Sequence, residues 1–238
     1  MNQIIFTSDI DWAPEEVILD MIELFKNYNA KCTLFATHYS DVLLSLDSSQ
    51  FEIGIHPNFN ELLNGNNKNG NCKDIIEQLL KYYPEAKGVR SHSLTQSSQL
   101  LNLFQTSNLV YESNQFLPYQ EVNPFRLWNG LIRVPFNWED DIHYSYNKEF
   151  TLSSVNKNES LIIANFHPIH VFLNTDSQER YNAAKNHYHD AAKLAEYRNQ
   201  TKAGARSLLI QLLQLVADSN NPKWTIKDYL ENVQLMEI

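Results

Sequence analysis

Short apolar runs alternate with helical patterns along most of the chain, and this alternation limits the possible folds more than any other feature. The run IIFTSDIDW, at residues 4–12, is rich in β-branched and aromatic side chains and is typical of a buried strand. Pro14 suits the first turn of a helix, and apolar residues recur at helical spacing from position 17 to 25. Runs at 31–36 and 51–55 predict two more strands, so repeated strand–helix units indicate an α/β protein with a parallel sheet.

The remaining chain continues this pattern and then becomes helical. Residues 175–238 are mostly helix formers, including the amphipathic segment SLLIQLLQLVAD. Closing a parallel sheet into a barrel brings all strand carboxyl ends to one face, so we expect a barrel with a helical C-terminal region. No repeat or linker divides the sequence, which favours a single domain over residues 1–238. Helices are also predicted from Asp74 and at 97–104, and strands at 87–90, 109–112, 131–134 and 161–166, with a less regular region around PFNWEDDIHY.

Composition and charge exclude several classes of protein. The 19 Lys and Arg against 28 Asp and Glu give a net charge of −9 without a local basic patch, so no nucleic-acid partner is expected. No apolar run is long enough for a membrane span, and the first residues do not resemble a secretory leader, so a cytoplasmic location is expected. The two cysteines have no metal-knuckle spacing, and phosphate-loop, dinucleotide and GxSxG motifs are absent. The sequence does not indicate an oligomeric state.

Polar residues follow three predicted strands, and a barrel would bring them together. They are Asp9 with Asp11, His56 with Asn58 and Asn60, and Arg90 with His92. One carboxylate oxygen and two imidazole nitrogens can bind a zinc-like ion and leave positions open for water and substrate. The second carboxylate can then act as a base toward that water. Simpler roles are a helix cap for Asp11 and a backbone-bonded loop histidine for His56.

Five segments of the chain resemble, in order, the five motifs of the NodB-type polysaccharide deacetylases, the fourth carbohydrate esterase family. The segments are SDIDW, HPNFN, VRSHS, NWEDD and IIANFHPIH, and they cover roughly residues 4–170. The signatures DxDW, GIHPNF and HPxH are also similar to a bacterial subgroup called WbmS-like, which is associated with surface-polysaccharide gene clusters. The resemblance implies a distorted (β/α) barrel of the NodB-homology type that holds a divalent metal, usually zinc.

The resemblance also implies a role for each matching residue. Asp9 would be the catalytic base, Asp11 and His56 metal ligands, Arg90 the residue that orients the base, and His167 the acid. In the fourth motif, Asp140 or Asp141 would be the acidic partner of Arg90.

Two departures from the family pattern leave alternatives open. Ile10 separates two aspartates that are adjacent in the family, so the reverse assignment, with Asp9 as the metal ligand and Asp11 as the base, stays open. The position four after His56 is Asn60, a poor zinc ligand, where the family has a second His. His92 is our choice for the third ligand, with His170 and Asn60 as the alternatives.

Four residues are predicted to contact substrate: Trp12, Asn58, Trp138 and His170. The two tryptophans offer apolar faces for a sugar ring, although large aromatic side chains more often lie in the core. The directions of His38 and His143, which neighbour site segments, are not determined by the pattern.

The leading hypothesis is a metal-dependent deacetylase that hydrolyses an N-acyl group on a sugar or polysaccharide precursor, with Zn²⁺ as the cofactor. One alternative is a metal-dependent amidohydrolase that cleaves a small non-sugar C–N bond, as allantoinase-like relatives do. The other is a barrel that has lost catalysis, with Asn60 marking the lost ligand, and only binds carbohydrate.

Overall fold

Parallel strands and intervening helices follow one another along the computed structural model, which describes residues 3–66, 70–155 and 160–236. The strands are β1 (Gln3–Asp9), β2 (Cys32–Ala36), β3 (Phe51–Ile55), β4 (Gly88–Val89), β5 (Tyr111–Glu112), β6 (Phe125–Arg126), β7 (Ile132–Arg133), β8 (Trp138–Glu139) and β9 (Leu161–Asn165). The helices are α1 (Glu15–Asn27), α2 (Asp41–Leu44), α3 (Asn60–Leu63), α4 (Cys72–Tyr82), α5 (Ser98–Thr106), α6 (Asp140–Ser145), α7 (Leu152–Val155), α8 (Pro168–Leu173), α9 (Gln178–Ala184), α10 (Ala191–Glu196), α11 (Ala205–Ala217) and α12 (Ile226–Asn232). Short 3₁₀ turns are formed by His92–Leu94 and Lys185–His187.

The strands form one curved sheet in the order β6-β7-β5-β4-β3-β2-β1-β9-β8. All neighbouring pairs are parallel except β6 with β7. The carboxyl ends of the parallel strands therefore lie on one rim, where sites are built in folds of this kind. This arrangement confirms the predicted α/β fold of the distorted-barrel, NodB-homology type.

An irregular segment between β7 and β8 completes the wall of the barrel. The Val134 N–H donates to the Glu112 carbonyl at 2.8 Å, on the β5 side. The Asn137 N–H donates to the Ile163 carbonyl at 3.1 Å, and the Asn137 side chain accepts from the Ile163 N–H at 2.9 Å, on the β9 side. The barrel is distorted because this segment bonds to both sides without forming a regular ladder.

The period-two alternation of β1 separates an inner core from an outer one. Ile4 and Phe6 pack in the outer cluster with the apolar face of α1, whereas Ile5 belongs to the inner cluster. Because alternate side chains share a face, Thr7 and Asp9 continue the row of Ile5 into the barrel. The end of β1 therefore directs Asp9 toward the interior of the rim.

The last helix closes the opposite end of the barrel. Ile226 and Leu230 of α12 are fully buried within the inner cluster. The Ile226 N–H donates to Thr33 Oγ1 at 2.9 Å, and Lys31 pairs with Asp228 at 2.9 Å. Helix α12 thus belongs to the barrel and lies at the end opposite the carboxyl-end rim.

The elements differ from the sequence-based prediction at the start of α4 and in the region before β9. Helix α4 begins at Cys72 rather than Asp74, because the Asn71 side chain caps it and Asp74 accepts from the Asn71 N–H at 2.8 Å. The less regular region around PFNWEDDIHY contains the two-residue strand β8 and helix α6.

The single-domain assignment stays a prediction. In the part of the chain that the structure describes, no helix is long and apolar enough to cross a membrane.

Candidate active site

Three residues that are far apart in sequence meet because their strands are close together in the sheet. Asp9 is the last residue of β1, and His56 and Arg90 directly follow β3 and β4. Their backbones are fixed by ladder-like bonds: the His56 N–H donates to the Ala36 carbonyl at 2.7 Å, and the Arg90 N–H to the Ile55 carbonyl at 3.0 Å. The predicted convergence of these side chains on one rim is what the structure shows.

The Arg90 guanidinium is completely buried beneath the rim. It lies between the rings of Phe35 and Phe136, with its central carbon 4.5 and 4.1 Å from their centroids. Arg90 Nη1 donates to Asp9 Oδ1 at 3.1 Å and to Asn165 Oδ1 at 2.7 Å. A buried charge must be paired and hydrogen-bonded, so Asp9 is held as the counter-charge of Arg90. This contact agrees with the orienting role that the family resemblance implies for Arg90.

Asn165, at the end of β9, holds the other Asp9 oxygen. Its Nδ2 donates to Asp9 Oδ2 at 3.1 Å and to Glu139 Oε1 at 3.0 Å. Its Oδ1 accepts from Thr7 Oγ1 at 3.1 Å as well as from Arg90. Both Asp9 oxygens therefore have a fixed donor.

Asp11, His56 and His92 place three ligand atoms in a nearly equilateral triangle. Asp11 Oδ1 lies 3.3 Å from His56 Nε2 and 3.2 Å from His92 Nδ1, and the two nitrogens are 3.3 Å apart. In tetrahedral zinc sites with bonds of about 2.0–2.1 Å, ligand atoms are separated by ~3.3 Å. The three residues thus fit a zinc ion with one position left open.

Two further observations agree with this ligand set. His56 Nδ1 is buried without a hydrogen-bond partner among the described residues and lies 3.7 Å from Asp9 Oδ1. A proton on Nδ1 leaves Nε2 free for a metal, with a carboxylate beyond it, as is usual for ligating histidines. Burial opposes ionisation of Asp11, but hydrogen bonds from His56 and His92 and the charge of His167 lower its pKa well below the ordinary range.

A tight turn explains why Asp9 and Asp11, which are two residues apart, have different partners. Ile10 is buried in the outer core, while Asp11 and Trp12 adopt left-handed φ values of 39° and 56°. The Ala13 N–H donates to the Ile10 carbonyl at 2.8 Å, as in a turn with two left-handed central residues. The turn carries Asp11 back over the rim beside His56, so that Asp9 faces Arg90 and Asp11 faces the histidines. Asp11 is not a helix cap, since α1 has no side-chain cap.

Tyr188 contacts this turn from the C-terminal region. Its hydroxyl donates to the Asp11 carbonyl at 2.6 Å. Left-handed conformations are unfavourable for bulky residues such as Trp12, so the turn needs support from its surroundings. Thr37 Oγ1 gives a second support by accepting from the Trp12 N–H at 3.1 Å. No sequence pattern in residues 181–200 indicated the contact of Tyr188, because it depends on long-range packing.

His92 is part of the triangle of ligand atoms, whereas the two alternative third ligands, Asn60 and His170, are not. The His92 N–H donates to the Pro57 carbonyl at 3.0 Å, which places the ring beside His56. Asn60 lies outside the triangle, and its Nδ2 donates to Ser93 Oγ at 3.2 Å. Asn60 therefore supports the loop that carries His92. His170 Nδ1 lies 3.1 Å from Thr175 Oγ1, and burial lowers the pKa of its imidazole well below the usual value.

Asp140 contacts His167 rather than Arg90, which corrects the predicted pairing. Asp140 accepts from the His167 backbone N–H at 2.9 Å and lies 2.7 Å from its Nδ1. Asp140 contacts His167 because α6 begins at Asp140 and lies beside the end of β9, which His167 follows by two residues. Burial alone would lower the pKa of His167, but the charge and hydrogen bond of Asp140 raise it well above the usual value.

Glu139 is a site residue that sequence reasoning missed. It lines the pocket, and its Oε1 lies 4.0 Å from His167 Nε2. Burial, with the charge of Asp141, raises the pKa of Glu139 to about 8. Trp138 points outward, so Glu139 points into the barrel, but a strand of two residues is too short for this alternation to be read from the sequence.

The convergent side chains surround one pocket of about 280 Å³. All seven titratable groups that line it are acids or histidines, so its polar wall can bind a cation and exchange protons. The lining residues are Asp9, Asp11, His56, Ser91, His92, Ser93, Leu94, Glu139, Asp141 and His167.

Two of the predicted substrate contacts lie elsewhere. Trp138 is 1% exposed, packs 4.6 Å from the Phe166 ring and donates to His143 Nδ1 at 3.0 Å, so neither Trp138 nor His143 reaches the pocket. His170 is buried behind His167 with its ring 5.6 Å away. These positions exclude Trp138 and His170 from direct contact with substrate, because the core covers both.

Trp12 and Asn58 remain close to the pocket. Trp12 is 37% exposed, and its ring lies edge-on to His92 at 5.0 Å. Asn58 follows His56 by two residues and lines an adjoining cleft, together with His38. His38 faces that cleft, and its Nδ1 lies 2.8 Å from Thr37 Oγ1.

Comparison with known proteins gives the fold and the family that the sequence motifs predicted. The profile of the WbmS-like polysaccharide deacetylases matches residues 6–185. A crystal structure from Bordetella bronchiseptica, described as a polysaccharide deacetylase (WbmS) involved in O-antigen biosynthesis, is 36% identical, with 90% of each chain covered and a TM-score of 0.84. A search of curated proteins found no match.

Two more distant structures share only the fold. A polysaccharide deacetylase structure from Mycobacterium smegmatis is 14% identical, covers 97% of this chain and 89% of its own, and has a TM-score of 0.57. The 4-alpha-glucanotransferase of Thermococcus litoralis is 12% identical, with 98% of this chain and 38% of that chain covered and a TM-score of 0.53.

The fold and the family match together define the class of polysaccharide deacetylases. Within that class the chain belongs to the WbmS-like family, since the profile covers most of its length. The family resemblance predicted from the five sequence segments is confirmed.

The third ligand can be tested by substitution. We expect His92→Ala to weaken zinc binding by more than about 100-fold, because it removes one of three donor atoms. His170→Gln and Asn60→Ala should retain zinc after dialysis, measured by elemental analysis. Zinc retained by His92→Ala and lost from His170→Gln would contradict the triangle.

The support from Tyr188 gives a second prediction. Tyr188→Phe should weaken zinc binding by about 10- to 100-fold, as loss of outer contacts to ligands does. A competition titration with a chromogenic chelator measures this effect. Tyr229→Phe, at the far end of the barrel on α12, is the matched control, and equal affinities of both variants would exclude the role.

Proposed function

We propose that this protein is a zinc-dependent deacetylase that hydrolyses an N-acyl group on a sugar of a polysaccharide or its precursor. The observation that carries the proposal is the triangle of Asp11, His56 and His92 with Asp9 and His167 beside it. Two nitrogens and one oxygen are donors that suit zinc. When bound, zinc supplies a Lewis acid for the amide carbonyl and lowers the pKa of water.

Asp9 acts as the base in this proposal. Its carboxylate faces the pocket and is fixed by Arg90 and Asn165, which leaves lone pairs to accept the proton of the attacking water. The turn through Ile10 supports Asp11 as the metal ligand and Asp9 as the base, because it directs Asp11 to the histidines and leaves Asp9 beside Arg90.

His167 acts as the acid. Asp140 fixes its Nδ1, so Nε2 faces the pocket, 3.9 Å from Asp11 Oδ2. Because its pKa is raised, the imidazole is protonated at neutral pH and can donate a proton to the departing amine. A base on one side and an acid on the other match the needs of amide hydrolysis.

The same features favour the proposal over its two alternatives. A barrel that only binds carbohydrate has no need for a buried Arg–Asp pair and an Asp–His pair directed at one pocket. An amidohydrolase acting on a small non-sugar substrate would have the same chemistry, but the family match is to polysaccharide deacetylases. Acetate release from N-acetylated glycans, compared with ammonia release from small ureides, separates these activities.

The role of Asp9 can be tested directly. Asp9→Asn should lower kcat by about 10²–10⁴-fold, because an amide cannot accept the proton. Zinc content should stay stoichiometric, since Asp9 is outside the triangle. Acetate release and elemental analysis on the same preparation measure both quantities, and near-normal turnover would assign the base to another group.

The Asp140–His167 pair predicts a pH dependence. The acid works when protonated, so kcat is retained below the raised pKa of His167 and lost as pH rises through it. Asp140→Asn removes the largest of the effects that oppose burial, so the alkaline limb should move to lower pH and kcat at pH 8.5 should fall by about tenfold or more. The full kcat profile measures this shift.

The matched control for this prediction is Asp218→Asn, which changes a carboxylate that follows α11, distant from the pocket. Its profile should overlay that of the natural sequence. If Asp140→Asn left the alkaline limb in place, His167 would not be the acid.

A further inference from the structure

Two successive acids lie beside the two ring nitrogens of His167. Asp140 Oδ1 lies 2.7 Å from Nδ1, whereas Glu139 Oε1 lies 4.0 Å from Nε2. The first distance is that of a hydrogen bond, and the second is too long for one. In the proposed reaction Asp140 fixes the acid, and Glu139 is left without a role.

Glu139 is held in place with one oxygen beside this gap. Strand β8 pairs Glu139 with Asn165 of β9, and Asn165 Nδ2 donates to Glu139 Oε1 at 3.0 Å. The side chain is only 12% exposed, and it lines the pocket. Asn165 is its one hydrogen-bond partner among the described residues. A carboxyl oxygen has two lone pairs, so Oε1 keeps one for a ligand.

The 4.0 Å gap between Oε1 and Nε2 can be bridged by a single atom that bonds to both. Two hydrogen bonds of ~2.9 Å can span any separation up to about 5.8 Å. In the proposed reaction His167 Nε2 gives its proton to the departing nitrogen, so this nitrogen lies within hydrogen-bond distance of Nε2. The same nitrogen can then donate its own hydrogen to Glu139 Oε1.

An ester has no hydrogen to donate at this position. Its bridging oxygen would direct lone pairs at the Glu139 carboxyl, and the described lining residues include neither Lys nor Arg to offset this repulsion. A site that is built to hydrogen-bond an N–H group discriminates strongly against an analogue that lacks it. Glu139 is therefore placed to distinguish N-acyl from O-acyl sugars.

This acceptor is present whether or not Glu139 is protonated. Burial, with the charge of Asp141, raises the pKa of Glu139 to about 8, so the carboxyl is largely protonated at pH 7. Because Asn165 donates to Oε1, the proton lies on Oε2, and Oε1 remains the carbonyl oxygen. An N–H group thus finds an acceptor at Oε1 on both sides of this pKa.

We propose that Glu139 accepts a hydrogen bond from the N–H of the scissile amide, which positions the nitrogen beside His167 and makes the site selective for N-acyl over O-acyl groups. This inference rests on the proposed function for the place of the departing nitrogen and for His167 as the acid. It goes beyond that function by naming the residue that recognises the amide.

A matched pair of ligands isolates the N–H group. Methyl 2-acetamido-2-deoxyglucoside and methyl 2-O-acetylglucoside differ only in the NH or oxygen that carries the acetyl group. Calorimetry on zinc-loaded Asp9→Asn protein, which should consume neither compound, measures binding. We expect the amide to bind about tenfold or more tightly than the ester, as for one hydrogen bond to a carboxyl group. Acetate release by the unsubstituted protein from the same pair reports the proposed function.

Substitutions at Glu139 in the Asp9→Asn background assign the preference to this side chain. Glu139→Leu should abolish the preference for the amide, because it removes the acceptor. Glu139→Gln should keep it, because a carbonyl oxygen can accept from both Asn165 and the ligand. Loss of packing alone would weaken both ligands and leave their affinity ratio unchanged. Glu196→Leu, which replaces a 63% exposed carboxylate on α10, is the matched control, and zinc content is measured for each variant.

Three results would overturn the inference: no measurable binding of the amide, equal binding of amide and ester, or a preference that survives Glu139→Leu. A preference that is lost in Glu139→Gln as well would do the same, since charge rather than the acceptor would then be responsible. Amide-selective binding without acetate release would instead contradict the proposed function and leave the role of Glu139 in place.

Discussion

The buried ion pair between Arg90 and Asp9 is the interaction on which the rest of the site depends. Removing one partner of such a pair costs about 3–5 kcal/mol, because the other charge is left buried and unpaired. Here the guanidinium also donates to the Ser113 carbonyl at 3.1 Å and to Thr7 Oγ1 at 3.1 Å. It therefore joins residues at the ends of β1, β4 and β5, and the geometry of the rim is fixed by the same group that fixes the base.

Strained backbone lies directly beside two of the three candidate ligands. Asp11 and Trp12 are both left-handed, and so are Ser93 and Leu94, which follow His92. Such conformations cost about 1–3 kcal/mol each and persist only where surrounding contacts hold them. Tyr188, Thr37 and Asn60 supply those contacts through hydrogen bonds. The strain is located where side-chain direction matters for binding a cation, and the regular strands below remain unstrained.

The sequence predicted the strand ends well and the side-chain partners less well. Strand β3 has the predicted bounds, and Asp9, His56 and Arg90 converge as expected, because hydrophobic periodicity determines where strands end and which face is inside. The partner of Asp140 could not be predicted in the same way, since it depends on how α6 turns over the end of β9. Trp138 was misplaced because a two-residue strand is too short to show its alternation. Tyr188 lies 177 residues from Asp11, and no local pattern reports such a contact.

The ends of β1 and β4 supply site residues at the same spacing. Asp9 ends β1 and Asp11 follows it by two residues, while Arg90 directly follows β4 and His92 follows Arg90 by two residues. Each strand end therefore supplies a lower group, which is buried, and an upper group, which faces the pocket. The lower pair, Asp9 with Arg90, is 3.1 Å apart and buried, while the upper pair, Asp11 with His92, is 3.2 Å apart and faces the pocket. His56 connects the two levels, with Nδ1 toward Asp9 and Nε2 toward Asp11.

This layering gives a physical reason for the absence of a second histidine at position 60. A ligand from α3 would be independent of the Arg90–Asp9 pair, whereas His92 follows Arg90 by two residues and is placed by the same strand end. Asn60 then contributes to the site through Ser93 rather than through a metal bond. Because one short segment, residues 90–92, sets both the orientation of the base and the third ligand, a displacement of β4 would disturb proton transfer and cation binding together.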